Sequence, residues 1–157
     1  MKSKPILIVA GEPNSVFLEI LFKSVKTIKI KNPIILICSK KLFLLQSKAL
    51  NKKINFKLVS IEDILRDRFN NKILNLLNVD LNVNKPFNKI SNKYNNYIEK
   101  CFTIALELIN KGISYKFING PISKKYFLQK KFLGITEYLA KKTNTKKYAM
   151  LIYNKKL

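Results

Sequence analysis

The chain contains no histidine. That removes the side chain most often used as a general base near neutral pH, and also the commonest metal ligand. If this chain takes part in catalysis, Lys, Glu, Asp or Tyr must move its protons, or residues outside it must. Cysteine is scarce too. Cys38 and Cys101 lie far apart on apolar stretches, without the spacing of a metal or redox motif. They read as two buried thiols in a reducing cytoplasm. No apolar run is long enough to span a membrane. The apolar run at 5–10 is short and leads straight into Gly-Glu-Pro, so no secretion signal is visible. The chain also lacks the G-x-G-x-x-G dinucleotide fingerprint and the P-loop.

Arginine and acid are the other shortages. Asp and Glu total 9 against 31 Lys and Arg, for a formal charge of +22. Such a surplus first points to a polyanion. Yet Arg66 and Arg68 are the only arginines, and bidentate contacts to bases and phosphates favour Arg over Lys. The lysines are spread along the whole chain among many Asn and Ile, a pattern of drift toward A/T-rich codons. The charge is therefore read as compositional, with a basic nucleic-acid-binding module kept as the alternative.

What is present is enough for a folded domain. The length of 157 residues and a hydrophobic fraction of 47% support one core. Short continuous apolar runs at 4–10, 33–38 and 54–59 read as buried strands. Between them, residues 15–29 have helical spacing, with Val16, Ile20, Leu21 and Val25 as the apolar side and Ser15 as N-cap, and residues 40–50 read as helix. Strand and helix in alternation predict a parallel sheet with helices packed on it. Residues 60–90, rich in Asn and Lys, read as loops around a possible strand at 73–79. Residues 91–111 carry a long amphipathic helix with Tyr94, Ile98, Cys101, Ile104, Ala105, Leu108 and Ile109 on one stripe and Gly112 as its stop. A strand at 115–119, helices at 123–131 and 135–142, and a strand at 147–153 complete the reading. The chain is treated as one unit, 1–157, without an internal boundary.

Three motifs fall at strand-to-helix junctions. Gly11-Glu12-Pro13-Asn14-Ser15 follows the first strand, and Asn119-Gly120-Pro121-Ile122-Ser123-Lys124 follows the strand at 115–119. Ligands of open α/β sheets bind outside such strand ends, where helix N-termini favour anions. Gly11, Glu12 and Gly120 are thus candidates for an anion-binding or cleft loop. Lys124 sits at the positive end of a predicted helix, a placement that costs about 0.3–1 kcal/mol unless an anion or carboxylate offsets it. Gly134-Ile135-Thr136-Glu137 opens the next helix, and Thr136 can offer a hydroxyl and an N–H to a phosphate or carboxylate. Taken singly, each motif also fits a capped turn, a solvated lysine or a capping threonine.

Taken in order, the motifs resemble the 4-hydroxythreonine-4-phosphate dehydrogenase family of pyridoxal 5'-phosphate (vitamin B6) biosynthesis. The family opens with Gly-Glu-Pro-Ala-Gly-Ile-Gly-Pro-Glu-Ile; here Gly11-Glu12-Pro13 and Glu19-Ile20 match, and residues 14–18 replace the glycine-rich middle. The family's Thr-Gly-Pro-Ile-x-Lys is matched by Gly120, Pro121, Ile122 and Lys124, with Asn119 for the Thr. Its Gly-His-Thr-Glu is matched by Gly134, Thr136 and Glu137, with Ile135 where the His stands.

The resemblance implies an α/β/α sandwich with a mostly parallel sheet, like isocitrate and isopropylmalate dehydrogenases, of which this chain is the N-terminal half. It implies a homodimer that shares its active sites, NAD or NADP as cofactor, and a phosphorylated small-molecule substrate that is oxidised and decarboxylated. It also implies a divalent metal whose histidine ligands lie beyond Leu157. Of the family's substrate-binding His-Thr pair, Thr136 keeps one half, and Ile135 can neither donate a hydrogen bond nor carry charge. The expectation is that this half alone is inactive. A divergent member with a different phosphorylated substrate or a binding role is the second reading.

The two readings of the charge separate in one experiment. Binding to unrelated DNA sequences, followed by fluorescence anisotropy, should be weak, lost between roughly 50 and 200 mM salt, and equal for all sequences. A base-sequence preference would favour the nucleic-acid module.

Overall fold

The computed structural model describes residues 3–27, 31–151 and 153. Five strands form one sheet: β1 (Ile6–Val9), β2 (Ile34–Cys38), β3 (Phe56–Val59), β4 (Leu74–Asn78) and β5 (Lys116–Asn119). Their spatial order is β3-β4-β2-β1-β5, and every pairing is parallel. Leu7, Val9, Ile35, Leu36 and Ile37 are buried on both sheet faces, which is why these strands read as continuous apolar runs and not as alternating ones.

Helices α1 (Phe17–Thr27), α2 (Lys40–Ala49) and α4 (Asn95–Asn110) are the main cover, with the single-turn α3 (Ile61–Leu65) between β3 and β4. The chain moves from β1 toward β2 through α1, and from β4 across to β5 through α4. Right-handed crossovers in opposite directions place α1 and α4 on opposite faces. On the first face, Phe22 of α1, Phe43 of α2 and Phe56 of β3 meet edge to face at centroid distances of 4.9 and 5.0 Å. On the second, Phe102 of α4 packs against Phe117 of β5 and against Tyr138 of α5 (Ile135–Lys142). The result is the parallel sheet with packed helices that the strand and helix pattern predicts, in the α/β/α arrangement that the family resemblance implies.

Local chemistry explains the boundaries. The Ser39 hydroxyl accepts from the Leu42 N–H and caps α2. Gly112, at φ +71°, closes α4: its N–H donates to Ile109 O and the Ile113 N–H to Leu108 O, a Schellman ending. Residues 28–29 of the predicted first helix lie outside the described residues.

Four expectations need correction. Val16 and Ile20 are exposed (59% and 53%), and α1 instead turns Leu18, Leu21 and Phe22 onto the sheet, because the helix begins at Phe17 and these three share its inward face. The stretch 60–90 is not all loop: β4 forms as anticipated, but α3 precedes it, held by a reciprocal capping box between Ser60 and Asp63. The predicted helix at 123–131 is one π turn, Lys124–Leu128, ended by Gln129 and Lys130 at φ 50° and 60°. Finally, residues 147–151 and 153 are not in a strand; Tyr148, Met150, Leu151 and Tyr153 are 53–90% exposed. An apolar run becomes a strand only when a neighbour takes up its backbone N–H and C=O groups, and none pairs with it among the described residues. Residue 152 lies outside them.

Exposed lysines occur on α1 (Lys23), α2 (Lys48), β3 (Lys57), α4 (Lys100) and α5 (Lys141), on both sides of the sheet. Among the described residues, exposed lysines are thus spread over several elements.

Phe43 is fully buried between Phe22 and Phe56. Phe43→Ala should lower unfolding free energy by about 3–5 kcal/mol, read as a fall in the urea midpoint at unchanged slope.

Candidate functional site

The strand order reverses around β1. Beyond β1 on one side lie β2, β4 and β3; on the other lies β5 alone. The carboxyl ends of β1 and β5 therefore flank a topological switch point, the usual place for a ligand cleft in an open parallel sheet. The two glycine-proline motifs sit there, one on each strand.

Their backbones interlock. Gly120 N–H donates to Val9 O at 2.8 Å, and Glu12 N–H donates to Pro121 O at 2.8 Å. Gly11 adopts φ +73°, and a Cβ there would lie 2.4 Å from Pro121 O. A Cβ on Gly120 would lie 2.1 Å from Ala10 O and 2.8 Å from Phe17 Cγ. Both positions exclude a side chain because each loop occupies the space of the other. For the same reason the pair leaves no backbone cradle for a pyrophosphate, and it does not fit a dinucleotide seat of the glycine-rich kind.

Glu12 is 3% exposed. Its Oε1 accepts from the N–H and the side-chain amide of Asn14, both at 3.3 Å, while Oε2 is buried without a partner. Burial pushes this carboxyl above the usual carboxylate range, and the Asn14 bonds pull it partly back. An ionised Glu12 would repel an anion, so the loop pair favours a ligand group that donates a hydrogen bond.

Three residues that the motif reading did not pick out hold this loop. Gln46 of α2, fully buried, donates from Nε2 to Pro13 O at 2.9 Å and to Pro86 O at 2.8 Å. Asn14 Oδ1 accepts from the Asn88 N–H at 2.9 Å. The available signal was Gln46 itself, a polar residue on the same inward face as Leu42 and Phe43. The partnership with Pro86 and Asn88 spans some 40 and 74 residues of chain and had no local signal.

Gly11, Glu12 and Gly120 are thus brought together. Lys124 is exposed on the π turn, whose start is capped by the Ser123 hydroxyl accepting from Tyr126 N–H. Thr136 is half-buried in the first turn of α5, and Ile135 packs against the core. These three share no hydrogen bond with the loop pair among the described residues. No cluster of three or more Cys, Asp or Glu among the described residues is placed to hold a metal ion, and histidine is absent from the sequence. The side chains present do not fit a divalent metal centre. Cys38 and Cys101 are buried and free, and burial raises both thiols, that of Cys101 to about 12. They are inert packing groups.

A raised carboxyl favours the proton-bound fold. Stability from Glu12 is present below the unfolded carboxyl range and is lost as pH rises through the higher folded value. Glu12→Gln should therefore melt above the unsubstituted chain at pH 7, with the gap closing near pH 4. Calorimetry at the two pH values checks this; an equal gap at both would mean that ionisation is not its cause.

The chain resembles known proteins over nearly its whole length. It is 29% identical over 160 residues to the 4-hydroxythreonine-4-phosphate dehydrogenase of Aquifex aeolicus, covering 99% of this chain and 48% of the relative. It is 26% identical over 163 residues to the D-threonate 4-phosphate dehydrogenase of Salmonella typhimurium, covering 100% and 49%. The chain spans about half the length of the curated relatives it matches. Among solved structures, the 4-hydroxythreonine-4-phosphate dehydrogenase of Burkholderia phymatum superposes with a TM-score of 0.78 at 20% identity, over 94% of this chain and 46% of that one. That of Klebsiella pneumoniae does so with 0.77 at 24%, over 99% and 48%. These two establish the fold. The sequence model of the family described as pyridoxal phosphate biosynthetic protein PdxA matches residues 18–157, and the chain belongs to that family.

Proposed function

We propose that residues 1–157 correspond to the N-terminal half of a two-lobed dehydrogenase. The whole protein would oxidise 4-phosphohydroxy-L-threonine, with loss of carbon dioxide, in pyridoxal 5'-phosphate biosynthesis. The observation that carries this reading is the meeting of the Gly11–Glu12 and Gly120–Pro121 loops at the switch point, in a chain of this family. NAD or NADP would accept the hydride. The metal expected of the family would be held by residues outside this half.

In this reading the chain supplies one wall of the cleft. The interlocked loops fix the strand ends, with Glu12 buried beneath them. The Thr136 hydroxyl and the open N–H groups at the start of α5 offer donors to its phosphate. The active protein would be a cytoplasmic homodimer.

A second reading keeps the chemistry class and changes the substrate. It rests on Ile135, an aliphatic side chain packed on the core where the family has His, and on relatives named for D-threonate 4-phosphate. Under it, Thr136 and α5 still hold a phosphate, while the rest of the substrate differs.

The test is to express the native gene, record the intact mass, and follow nicotinamide absorbance with each substrate. Turnover of 4-phosphohydroxy-L-threonine that improves about tenfold or more in Ile135→His, the scale of one regained charge-assisted contact, supports the first reading. Turnover of D-threonate 4-phosphate without response to Ile135→His supports the second. A full-length product that neither binds nor turns over NAD(P) and either phosphate ester overturns both.

A further inference from the structure

Asn119-Gly120 is the only Asn-Gly pair in the chain. It stands at the carboxyl end of β5, inside the lock between the two glycine-proline loops. The pair has a chemistry of its own. Asparagine is thermolabile because the next residue's backbone nitrogen can attack its side-chain amide carbon and close a five-membered imide. Glycine in that next position presents the least hindered nitrogen, since its Cα carries no side chain, and gives the backbone the freedom that ring closure needs.

The fold restrains every partner in that reaction. Gly120 is buried, and its N–H, which must lose its proton before the nitrogen can attack, donates to Val9 O at 2.8 Å. Asn119 is the last residue of β5, in register with Val9, and ring closure has to turn its peptide out of strand geometry. The leaving nitrogen is held as well: Asn119 Nδ2 donates to Gly120 O at 3.1 Å. The ring closes only after the end of β5 has let go of β1.

We propose that Asn119 is a deamidation site gated by the lock between the two loops, and that its conversion holds the lock open. In the opened loop, Gly120 N gives its proton to solvent and bonds to Asn119 Cγ. The Cγ–Nδ2 bond breaks, and the nitrogen takes up a proton and leaves as ammonia. Water then adds to either carbonyl of the imide and breaks one C–N bond, which leaves aspartate or isoaspartate at position 119. Nothing is oxidised or reduced. Isoaspartate carries the main chain through Cβ and lengthens it by one carbon. The lock has no room for the resulting shift, because even a Cβ on Gly120 would lie 2.1 Å from Ala10 O. The bonds from Gly120 N–H to Val9 O and from Glu12 N–H to Pro121 O then fail to re-form. Either product also adds a negative charge at the switch point.

The test incubates the full chain in mildly alkaline buffer, folded and in urea, and follows each asparagine by peptide mapping and mass spectrometry. In urea, Asn119 should convert before any other asparagine. In the folded chain it should convert about tenfold or more slowly, because the reaction waits on local opening. As urea is raised below the unfolding transition, its rate should climb in step with hydrogen exchange at the Gly120 N–H. Gly11→Ala, which forces the loops apart, should bring the rate toward that in urea; the exchange comparison keeps the test decisive if this variant folds poorly. Asn119→Thr should abolish the modification and keep the Gly120 N–H protected. The isoaspartyl form, separated by ion exchange, should have lost protection at the Gly120 and Glu12 N–H groups. Equal rates folded and in urea, another asparagine converting first, or full protection in the isoaspartyl form would each overturn the assignment.

Discussion

The close approach of two backbones at the ends of β1 and β5 is the constraint on which the rest of this structure depends. β5 is joined to the sheet through β1 alone. Its carboxyl end is held there by two backbone hydrogen bonds and by the missing Cβ atoms of Gly11 and Gly120. A methyl group at either position would meet a carbonyl oxygen at well under van der Waals distance, with no flexible side chain to give way. The glycine-proline pairing in each motif is therefore explained by packing before any ligand is considered. With the loops locked, Glu12 is carried below the surface and Gln46 is needed to satisfy the carbonyls of Pro13 and Pro86. The polar interior at this end of the sheet follows from the lock.

The same topology leaves the sheet unevenly covered. On the face carrying α1, Ile118 neighbours Ile8 in register and is 47% exposed, and Ile20 of α1 is exposed beside it. These residues, with Ile6 and Phe17, line an apolar groove of ≈ 480 Å³ next to the open edge of β5. The other face of β5 is closed, because Phe117 lies under Phe102 of α4. Among the described residues β5 is an edge strand with an apolar groove beside it, the kind of surface at which proteins commonly meet partners or aggregate.

Chemically, the chain is a scaffold that supplies donors and acceptors. Its thiols are buried, and Ile135 packs against the core. What remains is positional: a buried carboxyl oxygen, a threonine at a helix start, and two strand ends fixed relative to each other.

Much of the fold was legible because buried parallel strands and amphipathic helices leave periodic marks. Residues 33–38 read as a buried strand, and the stripe from Tyr94 to Ile109 with Gly112 behind it read as a helix with its stop. Where pattern misled, a neighbour was the deciding term: Val16 and Ile20 face an uncovered flank, and the apolar run near Met150 has no strand to pair with among the described residues. The candidate site was legible only as separate pieces. Sequence alone determined that Gly11 and Gly120 lie at strand ends, that histidine chemistry is absent, and that the side chain before Thr136 cannot donate a hydrogen bond, since these follow from residue identity and short-range order. Only the tertiary structure decided that the two glycine loops fill one another, that Glu12 is buried with a free oxygen, and that Gln46, Pro86 and Asn88 hold it. Those facts depend on which strands become neighbours, and a parallel sheet sets that through crossovers tens of residues long that no local pattern encodes.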